Sequence, residues 1–147
     1  MRPTIARLAF VAYTLFILAI TLLILGQARS TLNLVPFRMM AHDWRTGGLP
    51  LLVNFLGNIV AFMPFGTLLP LVRTAKTRAW HAIAFAASLS TAIEVIQYFF
   101  ARRNADIDDV LLNTLGGLIG YAILRVGQWS LADQRGGDAA QASSKTA

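Results

Sequence analysis

The sequence has no cysteine. Disulfides, thiolate nucleophiles and cysteine-based zinc sites are therefore excluded. Charge is scarce as well: Asp, Glu, Lys and Arg make up 14% of the 147 residues, against roughly 25% in soluble domains. Acid is scarcest, with seven acidic residues against thirteen basic ones. There is no phosphate-cradling glycine loop and no serine–histidine pairing of a hydrolase. Low charge and long uncharged runs together place the chain among integral membrane proteins. The net charge of +6 then concerns topology and anionic lipid. No nucleic-acid partner is expected from it.

Four apolar segments are present, at about 8–26, 50–72, 79–101 and 107–126. Each is long enough to cross a hydrocarbon core of about 30 Å. The expected fold is all-α, a polytopic four-helix membrane bundle over residues 1–127. The first segment, Leu8 to Leu25, is uncharged over 18 residues. That exceeds the 7–15 of a signal-peptide core, so it reads as an uncleaved anchor. Between the first two spans lie Phe37, Arg38, Met39, Met40 and Trp44. Basic and aromatic residues mixed in this way suit the headgroup layer, and predict a short interfacial helix over 37–44. Pro64 predicts a kink in the second span. Residues 128–147 are polar and rich in Ala, Gly, Ser and Gln, which predicts a disordered tail.

Four spans put both termini on one side. That side carries Arg2, Arg7, Arg73, Lys76, Arg78, Arg125, Arg135 and Lys145. The other carries Arg29, Arg38, Arg45, Arg102 and Arg103. The excess of basic residues predicts cytoplasmic termini in a bacterial inner membrane.

With this topology the polar residues inside the spans fall at one depth. Asn54 and Asn58 lie early in the second span, four residues apart and so on one helix face. Ser90, Glu94 and Gln97 form a stripe near the end of the third. Arg103 lies in the turn that follows, and Asp106, Asp108, Asp109 and Asn113 open the fourth. Acids at the edge of apolar helices are costly unless something requires them. They predict either helix caps or a polar site in the outer leaflet. Gly116 and Gly120 share the stripe of Asp109 and Asn113 and predict close helix packing. His81, beside Trp80 at the start of the third span, reads as an interface residue.

These residues also carry a resemblance. Asn33-Leu-Val-Pro-Phe37 comes first, then Asn54-x-x-Gly-Asn58 leading to Pro64-Phe-Gly66 and Leu69-Pro70. Ser90-x-x-x-Glu94-x-x-Gln97 follows, then Arg103-x-x-Asp106-x-Asp108-Asp109-x-x-x-Asn113-x-x-Gly116. In this order and spacing, over about 30–125, the chain resembles the VanZ-like family of small bacterial membrane proteins. That family takes its name from a member linked to low-level resistance to the glycopeptide teicoplanin. The resemblance implies an envelope protein and carries over motif positions, not catalytic roles.

Three functions follow as expectations. The first is a non-enzymatic envelope protein that binds a membrane lipid or lipid-linked envelope component at the outer-leaflet cluster, with no cofactor. The second is an intramembrane enzyme acting on a lipid headgroup, with a divalent cation held by Glu94, Asp106, Asp108 and Asp109. The third is a structural or transport bundle, for which four helices would have to assemble as a homo-oligomer.

Overall fold

Within a bilayer no water serves the backbone, so an apolar run must satisfy its own N–H and C=O groups, and a helix does so. The computed structural model describes residues 3–23, 31–73, 76–100 and 104–145. In chain order it holds helix α1 (Pro3–Leu23), strand β1 (Leu32–Asn33) and helix α2 (Arg38–Thr46). A short helix α3 (Gly48–Leu51) then leads through a π-helical turn (Leu52–Leu56) into α4 (Gly57–Val72). Helix α5 (Ala79–Phe99), strand β2 (Ala105–Asp106) and helix α6 (Ile107–Lys145) complete the chain. Four stretches are long and apolar enough to cross a membrane: Pro3–Thr21, Leu52–Val72, Ala79–Phe99 and Ile107–Gly136. The all-α polytopic bundle expected from hydropathy is the fold observed.

Helices α4 and α6 form the tightest pair, and α5 packs on α6. Glycine makes this approach possible. A methyl group on Gly116 would overlap the Ile59 backbone, one on Gly120 the Met63 backbone, and one on Gly66 the Gly117 carbonyl. Without a hydrophobic drive between helices in lipid, such close packing is what holds them together. Helix α1 docks through an aromatic cluster. The Phe10 ring lies 5.9 Å from Phe65 and 5.3 Å from Phe85, and Tyr13 lies 5.1 Å from Phe65. The Tyr13 hydroxyl donates to the Ala61 carbonyl at 2.9 Å.

The structure differs from sequence expectation in three places. A π-helical turn at Leu52–Leu56, which nothing in the sequence announces, precedes α4, and Pro64 and Pro70 lie inside that helix. Helix α6 continues to Lys145, through the segment whose composition predicts disorder. The Ala, Gln, Arg and Lys there are good helix formers, and lengthening an existing helix avoids the nucleation cost. Residues 128–136 are exposed along this extension. Finally, two connections that read as loops pair as parallel strands, Leu32 with Ala105 and Asn33 with Asp106.

That pairing joins the α1–α2 and α5–α6 connections at one end of the bundle. The Thr31 amide also donates to Asn104 Oδ1 at 3.1 Å, and the Ala105 amide to the Thr31 carbonyl at 2.9 Å. At the opposite end Tyr121 donates to the Thr77 carbonyl at 3.1 Å, and the Arg125 guanidinium also bonds to that carbonyl. His81 is absorbed by structure: its Nδ1 accepts the Arg78 N–H at 3.0 Å and caps α5.

Candidate functional site

The interfacial helix α2 starts one residue later than expected and ends two residues later. Its first N–H groups have no partners within the helix. Asp108, from the far end of the chain, supplies them. Its Oδ2 accepts the Met39 and Met40 amides at 2.9 and 3.0 Å, and its Oδ1 accepts the Phe37 amide. Phe37 is held at φ 64°, in the left-handed region that a bulky side chain seldom enters. Asp108 is 2% exposed. A carboxylate in this position meets both the orphan donors and the positive end of the helix dipole. Asp108 is thus a cap, placed on a helix about 70 residues away in sequence.

Asp106 caps its own helix. Its Oδ1 accepts the Asp108 amide at 2.9 Å and the Asn33 side-chain amide at 2.9 Å. Partial burial pushes the Asp106 carboxyl above its ordinary range, and the charges of Asp108 and Asp43 add to this. The hydrogen bonds from the Asp108 amide and Asn33 pull the other way.

Asn54 goes to α2 as well. It donates to Asp43 Oδ2 at 2.8 Å, and Asp43 is buried. Asn58 instead donates to Asp109 Oδ1 at 2.6 Å. The two asparagines were expected to share a face, yet they serve different partners. Asn54 lies inside the π-helical turn, which closes its rings at i→i+5, and Asn58 lies in the α-helix that follows.

The remaining residues line a cavity of about 180 Å³ between α1, α4, α5 and α6. Its polar wall is Asn58, Glu94, Gln97, Asp109 and Asn113, and Ile17, Ile20, Thr21, Ala61, Phe62 and Ile93 form the rest. Glu94 and Gln97 are each 7% exposed. Glu94 Oε2 accepts the Asp106 amide at 2.9 Å, which ties α5 to the start of α6. Asn113 donates to Ser90 Oγ at 2.8 Å. Its own Oδ1 is buried and has no hydrogen-bond partner among the described residues. On its other side Glu94 walls an apolar groove of about 270 Å³, lined also by Leu34, Val95, Tyr98, Phe99 and Ile107.

Of the residues predicted to form one cluster, Asn58, Glu94, Gln97, Asp109 and Asn113 meet at the cavity. Asn54, Asp106 and Asp108 support the loop layer above it. Arg103, the basic member of the predicted cluster, lies outside the described residues. Sequence reasoning missed Asp43, an acid in a polar connection where acids are ordinary. It also missed the α1 contribution, since Thr21 is one hydroxyl among several on an apolar helix. Among the described residues no three His, Asp or Glu side chains gather as a metal site would require. The cavity wall offers amide and carboxyl groups as hydrogen-bonding partners.

Comparison with known proteins agrees with the motif order. The VanZ/LLP1 family model matches residues 10–128. The chain belongs to the VanZ/LLP1 family. It is 36% identical over 93 residues to Protein VanZ of Enterococcus faecium, an alignment covering 63% of this chain and 52% of that protein. The chain thus spans about half the length of the curated relative it matches. No solved structure matches it. Family membership and four apolar helices make it a multi-pass membrane protein of the VanZ type.

Proposed function

We propose that this protein is a bacterial inner-membrane envelope protein that binds a lipid or lipid-linked envelope component through the cavity at Glu94. By doing so it lowers susceptibility to teicoplanin-type glycopeptides. The observation that carries the reading is the convergence of Asn58, Glu94, Gln97, Asp109 and Asn113 on one cavity. Helix caps have no need to meet in this way, and polar side chains held inside a membrane protein mark ligand paths. The excess of basic residues on the side of the termini, with the family's link to teicoplanin, supports an outer-leaflet position for the cavity. There it faces the layer in which glycopeptides act. A binding role is favoured over a reaction because, among the described residues, the cavity lining carries no serine, histidine or cysteine nucleophile.

Expression of the chain in a teicoplanin-susceptible Gram-positive host tests this reading. The minimal inhibitory concentration should rise for teicoplanin in cells that hold the protein in the membrane. An unchanged value at confirmed membrane abundance would remove the resistance role.

A further inference from the structure

Among the described residues the apolar groove beside β2 shares only Glu94 with the polar cavity. It has a volume of about 270 Å³, and its accessible wall is almost wholly apolar. On α5 the wall is Thr91, Glu94, Val95, Tyr98 and Phe99. These stand at i, i+3, i+4, i+7 and i+8, one unbroken stripe of a helix. Eight residue steps of 1.5 Å make the stripe about 12 Å long. The facing wall is the first turn of α6, with Ile107 and Val110. The groove therefore runs along the helix axes, over more than a third of a hydrocarbon core of about 30 Å.

Depth fixes what lies outside it. The α5 stripe falls within the span Ala79–Phe99, and Ile107 opens the span Ile107–Gly136. The rim is open, with Val95 48% exposed and Phe99 69%. A surface exposed at this depth meets hydrocarbon, not water. At one end the groove meets the strand pair, where Asn33 donates to Asp106 Oδ1 at 2.9 Å. Apolar along its length and polar at the end nearest the loop layer, it has the layout of an amphiphile lying parallel to the helices.

Another helix fits it poorly. In lipid, helices pair through small residues that let backbones approach. Gly66, Gly116 and Gly120 already serve the α4–α6 contact, and no glycine lines the groove among the described residues. Its helical walls carry branched and aromatic side chains, between which a flexible hydrocarbon chain packs.

We propose that the groove seats one acyl chain of a membrane phospholipid, with the glycerol end at the β1–β2 pair and the chain running down α5 between Val95 and Val110. Its hold is dispersion contact with the walls, small for each atom and summed along the chain. This goes beyond the cavity reading and does not rest on it, since the groove needs no charge on Glu94.

The test is photo-labelling of the full chain in vesicles of phosphatidylglycerol. A trace of the same lipid carries a diazirine in one acyl chain, and labelled residues are mapped by peptide mass spectrometry. Leu56 is the reference. It is 48% exposed, as Val95 is, and each lies four residues from the end of its span nearest the loop layer. Passing lipid reaches both equally. Label at Val95 and Val110 should exceed that at Leu56. In Val95→Trp, whose ring fills the groove from its rim, label at Val110 should drop to the level at Leu56, with helix content by circular dichroism unchanged. If Val95→Trp does not fold, Thr91→Trp fills the groove from the end away from the strands and should do the same.

Equal label at Val95 and Leu56 would leave only unspecific lipid contact and would overturn the inference. Less label at Val95 than at Leu56 would mean that a second copy of the chain covers the groove, and would overturn it too. So would label at Val110 that neither filling variant lowers. The cavity reading is tested by resistance and by Glu94→Gln, neither of which enters here, so the two fail separately.

Discussion

At the scale of residues, the acids divide by what they touch. Asp108 and Asp106 accept backbone N–H groups at helix starts. Glu94 and Asp109 line the cavity. Asp108→Asn keeps the shape but turns an N–H₂ group toward backbone donors. It should lower stability by about 2 kcal/mol or more, since hydrogen bonds to a charged group are worth roughly 1.5–3 kcal/mol each. Thermal unfolding in mild detergent checks this, and a silent Asp108→Asn would contradict the cap. The Ser90, Glu94 and Gln97 stripe was legible in sequence because helical spacing alone puts those side chains on one face. The partners of Asp108 were not legible, because nothing near position 108 reports a helix that starts at position 38. Asn54 misled for a local reason: the π-helical turn broke the periodicity on which its assignment depended.

At the scale of elements, the α4–α6 contact decides how the site is held. Gly116 and Gly120 face the α4 backbone, whereas Gly127, further along α6, faces open space. Gly116→Leu and Gly120→Leu should each lower stability by about 1–3 kcal/mol or more, the usual range for forcing bulk into a packed contact. Gly127→Leu should be neutral. Melting temperatures of the three variants measure the difference, and equal values for all three would mean the glycine face is not the helix contact. This contact was legible in advance from the four-residue glycine spacing. The four spanning helices and the interfacial helix were legible too, from uncharged run length and from mixed basic and aromatic residues. The β1–β2 pairing was not, because two residues carry no period to read. The same holds for the helical extension of α6, where composition pointed to disorder and propagation from the span prevailed.

At the scale of the whole molecule, the loop layer closes the end of the bundle where the polar side chains gather. Strands β1 and β2, the cap from Asp108 and the Asn54–Asp43 bond hold that layer in place. Its orientation can be read with the chain's own lack of cysteine. Trp44 and Lys76 are both exposed and lie at opposite ends. Single variants Trp44→Cys and Lys76→Cys, treated in intact cells with a membrane-impermeant maleimide, should label at position 44 alone. Labelling at position 76 alone would invert the molecule and put the cavity in the inner leaflet.

The central claim is that Glu94 serves the cavity's ligand and is not needed to hold the fold. Glutamine at this position keeps the size of the side chain and an oxygen for the Asp106 amide, and loses the charge. The direct measurement is teicoplanin susceptibility of cells carrying Glu94→Gln, at membrane abundance and melting temperature matched to the unaltered protein. The account predicts that protection is lost while both matched quantities stay the same. Full protection by Glu94→Gln would contradict it, and would leave Glu94 as a structural tie between α5 and α6.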